Sequence, residues 1–151
     1  MPSASQAMTV DQCNCFTVRK AARQVSRFYD GHLQSTGLRI TQFLILATVK
    51  ELGSPSVNEL SERLDIERTA TGKMAAVLQR DGLVSMLPSP MDARSRIVQL
   101  TKEGQRLFLK ALPLWQAAQR QFSELNGQER VDVVRENLNS LAIDESVAIN
   151  E

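Results

Sequence analysis

The spacing of apolar residues changes abruptly at Gly82, and that change limits what the chain can fold into. Upstream, from Ser56, apolar residues recur every three or four positions, the period of a helix lying on a core. Ser56-Val57-Asn58-Glu59 has capping-box spacing, with a hydroxyl at the N-cap and a carboxylate three residues on. It opens a short helix with Val57, Leu60 and Leu64 inward. After a brief turn at Asp65-Ile66, a second helix is expected from about Glu67 to Arg80. Gly82 then stands where a left-handed C-terminal cap belongs. Downstream the pattern shortens. Leu83-Val84-Ser85-Met86-Leu87 and Ile97-Val98-Gln99-Leu100 are strand-like runs, and Pro88-Ser89-Pro90 between them cannot lie inside a helix. Two strands about a Pro-rich, charged tip predict a β-hairpin with a long loop.

Helices flank this unit. Thr9-Val10-Asp11-Gln12 also has capping-box spacing, and a helix from there to about Ser35 aligns Val18, Ala21, Ala22, Val25, Phe28, Tyr29 and Leu33 in one stripe. Arg19, Lys20, Arg23 and Arg27 lie mostly off it. Gly37 ends this helix. Thr41 is placed to cap a second, to Leu52, whose Phe43-Leu44-Ile45-Leu46 run is apolar enough for a core helix, and Gly53-Ser54-Pro55 stops it. Thr101 caps a long helix to about Glu124 that contains Pro113, where a kink is expected. Asn126-Gly127 separates a last helix, about Gln128 to Ala142. Residues 1–8 are expected to be disordered and residues 144–151 to form a frayed tail.

The whole reads as mainly α with a small β-hairpin wing: a winged helix-turn-helix with long flanking helices. Residues 37–101 are the winged lobe, and 9–36 and 102–143 are the dimerisation helices. The flanking helices carry long apolar stripes with no obvious partner inside the lobe. Pairing them across a two-fold axis would bury those stripes.

Composition removes most other classes. A chain of 151 residues suits one domain extended by helices, and 42% hydrophobic with 23% charged residues is ordinary for a globular protein. Its longest apolar stretch, Phe43 to Val49, is too short to span a membrane. The N-terminus lacks the basic and apolar segments of a signal peptide, and two cysteines make no disulfide framework, so the expected setting is the cytoplasm. One His excludes a multi-His zinc site within this chain. No phosphate loop, dinucleotide fingerprint, HExxH or GxSxG occurs, so neither a cofactor nor an enzyme activity is expected. With 18 Lys+Arg against 17 Asp+Glu, net charge does not announce nucleic-acid binding, and any such signal must be local.

That local signal lies on the helix at 67–80 and on the hairpin tip. In a helix-turn-helix the second helix enters the major groove. Here Ala70, Met74, Val77, Leu78 and Asp81 form one side. Arg68, Thr69, Gly72, Lys73, Ala75 and Ala76 form the other, short side chains with two cations. Small residues let a helix sit deep in a groove about 12 Å wide, while Thr, Arg and Lys reach phosphates and base edges. A solvated helix face would look similar. At the tip, Asp92-Ala93-Arg94-Ser95-Arg96 lets Asp92 hold one guanidinium and leaves the other free for a narrow minor groove, where negative potential is enhanced. A winged-helix protein that binds a protein partner in place of DNA is the reading left beside this one. Salt dependence separates the two.

These segments resemble the MarR family, the multiple-antibiotic-resistance repressors, over about residues 11–142. ERTATGKMAAVLQRDGLV (67–84), DARSRIVQLTKEG (92–104) and LRITQFLIL (38–46) carry the resemblance. It implies a cytoplasmic homodimeric repressor on a pseudo-palindromic duplex operator, with half-sites about 34–36 Å apart. It also implies release when a small phenolic or lipophilic effector binds, or when a cysteine is oxidised. The DNA-contacting positions it implies are Arg68, Thr69, Thr71, Lys73 and Arg94, with Arg96 the weaker wing candidate. Gly72 departs from the family pattern, where a larger residue is usual.

The resemblance also implies a pocket where the dimer helices meet the lobe. Phe16, Tyr29, His32 and Phe43 would line it, with Arg39 available to an anionic ligand. Trp115 is expected to pack on its own helix. Cys15-Phe16, with Tyr29 further along, resembles the peroxide-sensing branch, in which the matching cysteine is reactive and the matching tyrosine hydrogen-bonds it. That branch has a second tyrosine where this chain has Ile40. Proximity to a helix N-terminus favours the thiolate, and a small buried hydrophobe at the dimer seam is the other reading of Cys15. If both lie in the helix, Cys13 and Cys15 point about 200° apart, so a bond between them would distort it. Metal capture by the pair lacks further ligands nearby.

Overall fold

Why the chain between Ser56 and Thr101 folds as it does is visible in its helix ends and turns. A computed structural model of the chain describes residues 8–144. Of the expected disordered residues 1–8 and the expected frayed tail 144–151, all but Met8 and Asp144 lie outside the described residues. A 3₁₀ turn at Val10–Gln12 precedes α1 (Asn14–Leu33), and α2 (Ile40–Leu52), α3 (Val57–Leu64) and α4 (Arg68–Arg80) follow. The antiparallel hairpin is β1 (Val84–Pro88) with β2 (Arg96–Leu100), followed by α5 (Lys102–Asn126) and α6 (Gln128–Asn139). No helix among the described residues is long and apolar enough to cross a membrane.

The capping box at Ser56 forms as its spacing requires. The Glu59 N–H donates to Ser56 Oγ, and the Ser56 N–H donates to Glu59 Oε2. The capping box expected at Thr9 and the cap expected at Thr41 form differently. Thr9 makes no side-chain cap, Gln12 sits in the 3₁₀ turn, and α1 starts only after Cys13. Helix α2 starts at Ile40, so Thr41 is already inside it. Its first free donors go elsewhere: the Arg39 N–H to Gln42 Oε1, and the Ile40 N–H to Asp30 Oδ1 at 2.7 Å. That last bond ties α1 to α2 and could not be read from local spacing.

Leu33, Leu46, Leu60, Leu78, Val84 and Val98 are fully buried and form the centre of the core. Helix α2, apolar on most sides, supplies much of it, and α4 adds Thr71, Ala75 and Leu78. The hairpin register places Val84 opposite Leu100 and Met86 opposite Val98. The stretch before α3 adds an unexpected third partner: Ser56 bridges Ile97, and the buried Pro55 carbonyl accepts the Val98 N–H.

The chain divides into two compact units, Met1–Trp115 and Gln116–Glu151, with the boundary inside α5. The first half of α5 joins the first unit because Phe43 stacks on Phe108, centroids 5.4 Å apart, and on Trp115 at 6.0 Å. Helix α5 is continuous through Pro113. In its first turn a side-chain hydrogen bond from Arg106 holds the Glu103 carboxyl below the usual range. In the second unit, Gly127 at φ +83° separates α5 from α6, and no residue of α6 is buried.

Candidate nucleic-acid interface

Helix α4 owes its orientation to its two ends. Asp65, in the left-handed region at φ +52°, turns the chain out of α3, and the Ile66 N–H closes that turn on the Ser61 carbonyl. At the far end Gly82 takes φ +77°, its N–H bonds the Gln79 carbonyl, and the Leu83 N–H reaches back to Leu78. This double bond pattern, with glycine in the left-handed position, satisfies carbonyls the helix would leave free.

Between these ends, Arg68, Thr69, Lys73 and Ala76 are exposed and Gly72 is half-buried. One expected DNA-contacting position, Thr71, and one expected outer position, Ala75, are buried. Thr71 is 1% exposed and its hydroxyl donates to the Glu67 carbonyl at 3.0 Å, so it packs in the core with its one donor already used. Ala75 is fully buried beside it. The core face is therefore Thr71, Ala75 and Leu78, rotated by about one residue from the expected stripe. Thr71 is removed from the DNA-contacting set.

The hairpin tip is built by short local bonds. The Ser89 N–H donates to the Ser95 carbonyl, the Met91 N–H to Ser89 Oγ, and the Ser95 N–H to the Asp92 carbonyl. Asp92 was expected to hold a guanidinium. Instead its Oδ1 accepts the Arg94 backbone N–H at 3.0 Å, so the carboxylate shapes the turn. Among the described residues the ion pairs are Arg63–Glu51, Arg80–Asp81, Arg106–Glu103 and Arg135–Asp132. Arg68, Lys73, Arg94 and Arg96 belong to none of them.

Helix α4 and the tip enclose a cleft of about 490 Å³. Arg68, Thr69 and Gly72 line it from α4, and Arg94, Ser95 and Arg96 from the hairpin. Val57 and Asn58 from the first turn of α3, with Met86 from β1, complete the lining. It holds three guanidiniums and no carboxylate. The expected positions thus converge, except Thr71, which is core, and Lys73, which is exposed on α4 outside the lining. Sequence reasoning missed Val57, Asn58, Met86 and Ser95. The capping box marks Asn58 as a first-turn residue, but nothing local shows that this turn faces the cleft. Gly72 meets nothing within 4 Å of where a Cβ would lie.

The other expected positions lie on or beside α1 and α2. Phe43 is 2% exposed and committed to the ring stack with Phe108 and Trp115, which makes it core and not a pocket wall. Trp115 packs on that ring. Tyr29 is 9% exposed, and Phe16 is half-buried. His32 is half-buried with Nδ1 3.0 Å from the Phe28 carbonyl, and Arg39 is exposed at the start of α2. Cys15 is exposed in the first turn of α1. Cys13 occupies the N-cap in extended geometry, outside the helix, so the helical angle between the two cysteines does not apply to it. Among the described residues no group of His, Cys, Asp and Glu could hold a metal ion.

Comparison with known proteins gives this geometry a context. The sequence pattern described as MarR family matches residues 38–95. The transcriptional regulator MosR of M. tuberculosis, solved in complex with DNA, is 34% identical, with 85% of this chain and 96% of that one covered and a TM-score of 0.73. The HTH-type transcriptional regulator YhbI of Bacillus subtilis is 26% identical over 95 residues, 63% of this chain and 62% of that protein. The organic hydroperoxide resistance transcriptional regulator of the same organism is 24% identical over 107 residues, 71% of this chain and 73% of that protein. The match to YhbI thus spans less than two thirds of that relative's length.

Proposed function

The chain belongs to the MarR family of winged-helix regulators, and from that premise we propose that it is a cytoplasmic homodimeric DNA-binding repressor acting on a pseudo-palindromic operator. The observation that carries this reading is the cleft between α4 and the hairpin. Three arginines stand there outside every ion pair of the described residues, and no carboxylate lines it. Guanidiniums so placed fit a ligand that brings phosphates of its own. Arg68 and Thr69 on the outer face of α4 read the major groove, Lys73 contacts the backbone, and Arg94 reaches the minor groove, with Arg96 behind it. Homodimerisation is supported by α6, where Val133 and Val134 are each 48% exposed and Leu138 is 50% exposed. A second copy would cover them.

Release by a small aromatic or lipophilic ligand uses Phe16, Tyr29, His32 and Arg39. Phe43 contributes only to the core, through its stack on Phe108 and Trp115. A second reading, release by thiol oxidation, is favoured by one observation: Cys15 is exposed in the first turn of α1. Backbone dipoles there favour the thiolate. The likeness to a regulator named for organic hydroperoxide resistance points the same way. Cys15 and Tyr29 stand about 21 Å apart along α1, so any bond between them needs the tyrosine of a second copy.

Fluorescence anisotropy with duplex DNA from immediately upstream of the protein's own gene tests both readings. Binding should weaken steeply as salt rises, and Lys73→Ala should lower the log–log salt slope by about 0.9. Binding indifferent to salt would return the cleft to a protein partner. An organic hydroperoxide followed by dithiothreitol then separates the two releases. Reversible loss of DNA assigns release to a thiol and makes Cys15 the residue to mutate. Binding indifferent to oxidant assigns it to an aromatic ligand.

A further inference from the structure

The start of α5 is fastened to the end of α4 by contacts that a helix cap alone does not need. The Thr101 hydroxyl accepts the Gly104 N–H at 3.0 Å, which is ordinary N-capping. The same hydroxyl donates to the Gly82 carbonyl at 2.6 Å, and the Thr101 N–H donates to the Leu83 carbonyl at 3.1 Å. Gly104 is buried against that same peptide: a Cβ on it would lie 1.9 Å from the Leu83 carbonyl oxygen and 2.8 Å from its carbon. Gly82 and Leu83 are the residues that close the C-terminus of α4. One hydroxyl therefore caps one helix and grips the residue that closes the C-terminus of another.

We propose that Thr101 is a positioning residue that fixes the pitch of α4 against α5, and through it the spacing of the two half-sites one dimer can occupy. This rests on the dimeric DNA-binding reading above. Arg68 and Thr69 lie at the opposite end of α4 from the clamp, and the helix is 13 residues long. That length is about 20 Å, so a tilt of about 10° at the clamp carries the base-reading end about 3 Å. A displacement of that size exceeds what a bidentate base contact tolerates. The hydroxyl is well suited to the role because it both donates and accepts. A carboxylate would keep the cap but set two acceptors against each other at Gly82.

The test compares Thr101→Asp, Thr101→Val and Thr101→Ser with the unaltered chain. The probe is a duplex selected from a random pool by the unaltered protein, together with versions whose centre is lengthened or shortened by one and two base pairs. Thr101→Asp retains the cap and should keep its thermal midpoint. It should lose about tenfold affinity for the selected duplex, show a flattened spacing profile, and bind an isolated half-site unchanged. Thr101→Val loses donor and acceptor together and should flatten the profile as well. Thr101→Ser should restore the unaltered profile. A Thr101→Asp protein with the unaltered spacing profile overturns the proposal, as does one that loses affinity equally for half-sites and whole sites. Should Thr101→Asp not fold, the contrast between Thr101→Ser and Thr101→Val decides in the same way. An unaltered protein that enriches no duplex overturns the DNA-binding reading itself, and the proposal with it.

Discussion

In the first unit Leu33, Leu46, Leu60, Leu78 and Val98 are fully buried, whereas in the second Leu125 is 68% exposed and Val133, Val134 and Leu138 about half exposed. Among the described residues of the second unit only Ala118 is buried. The first unit leaves no buried side-chain nitrogen or oxygen without a partner among the described residues, and its turns are closed by Ser56, Asp92 and Thr101 side chains. Helix α6 has no side-chain cap at its N-terminus, as is also true of α1 and α4. The first unit therefore closes a core within one chain, although it too leaves Val18, Leu44 and Leu109 exposed. The second carries apolar surface that water penalises at about 25 cal/mol per Å² until something covers it.

The largest expected effect tests the closure of the first unit. Gly104→Ala forces a Cβ into the Leu83 peptide, where backbone and not a flexible side chain must yield. It should cost about 3 kcal/mol or more in urea denaturation. A loss below about 1 kcal/mol would show the unit to be loosely set at that seam. Next in size is the complementary change in the second unit. Val134→Asp with Leu138→Asp places charge on surface that is already exposed, so helix content and the first unit's stability should hold. Sedimentation should show the mass halved, and affinity for a two-half-site duplex should fall about 100-fold through lost bivalency. A double variant that remains dimeric would move the interface off α6 and remove the contrast drawn above.

Smaller again is the expected effect of Arg94→Ala. Its backbone is pinned by Asp92 while its guanidinium has no ion-pair partner among the described residues, so truncation should leave the turn intact. Affinity should fall about tenfold on operators with A·T-rich flanks and less on G·C-rich ones. Equal losses on both would place Arg94 on the phosphate backbone and not in the minor groove.

The legible parts of the fold were those encoded by neighbours in sequence. The Ser56–Glu59 box, the stops at Gly37, Gly82 and Gly127, the hairpin, and the Thr101 cap depend on residues within a few positions of one another. Helix ends settled by distant partners were not legible: Asp30 supplies the acceptor for Ile40, so Thr41 was misjudged as the cap. The α4 stripe was off by one residue for a different reason. Its residues are small, which weakens the amphipathic pattern. Thr71 counted as polar, although its hydroxyl satisfies itself on the Glu67 carbonyl and the remainder packs like an aliphatic. Of the site, the cations were visible and the Asn58 and Met86 walls were not, because their placement follows from the α3–α4 and hairpin geometry. Phe43 looked like a pocket wall because a buried aromatic and a ligand-facing one have the same sequence signature.

Gly72 gives the smallest expected change and the sharpest test of whether the first unit's form serves stability or DNA. In mid-helix a glycine costs about 1 kcal/mol against alanine. The position has ordinary helical geometry, and a Cβ would meet nothing within 4 Å, so no packing within the chain demands glycine. Gly72→Ala should therefore raise stability by about 1 kcal/mol, read in the same urea titration as Gly104→Ala. The two glycines are opposites: one fills a seam where the chain meets itself, and the other lines an open cleft between Arg68 and the Arg94 tip. If that cleft admits DNA with the helix backbone close to the base edges, the added methyl should reduce affinity severalfold while the salt slope stays fixed, because no phosphate contact is lost. Higher stability with unchanged affinity would mean that α4 reads DNA from a greater distance. In that case Gly72 contributes only local softness, and base recognition falls to the longer side chain of Arg68.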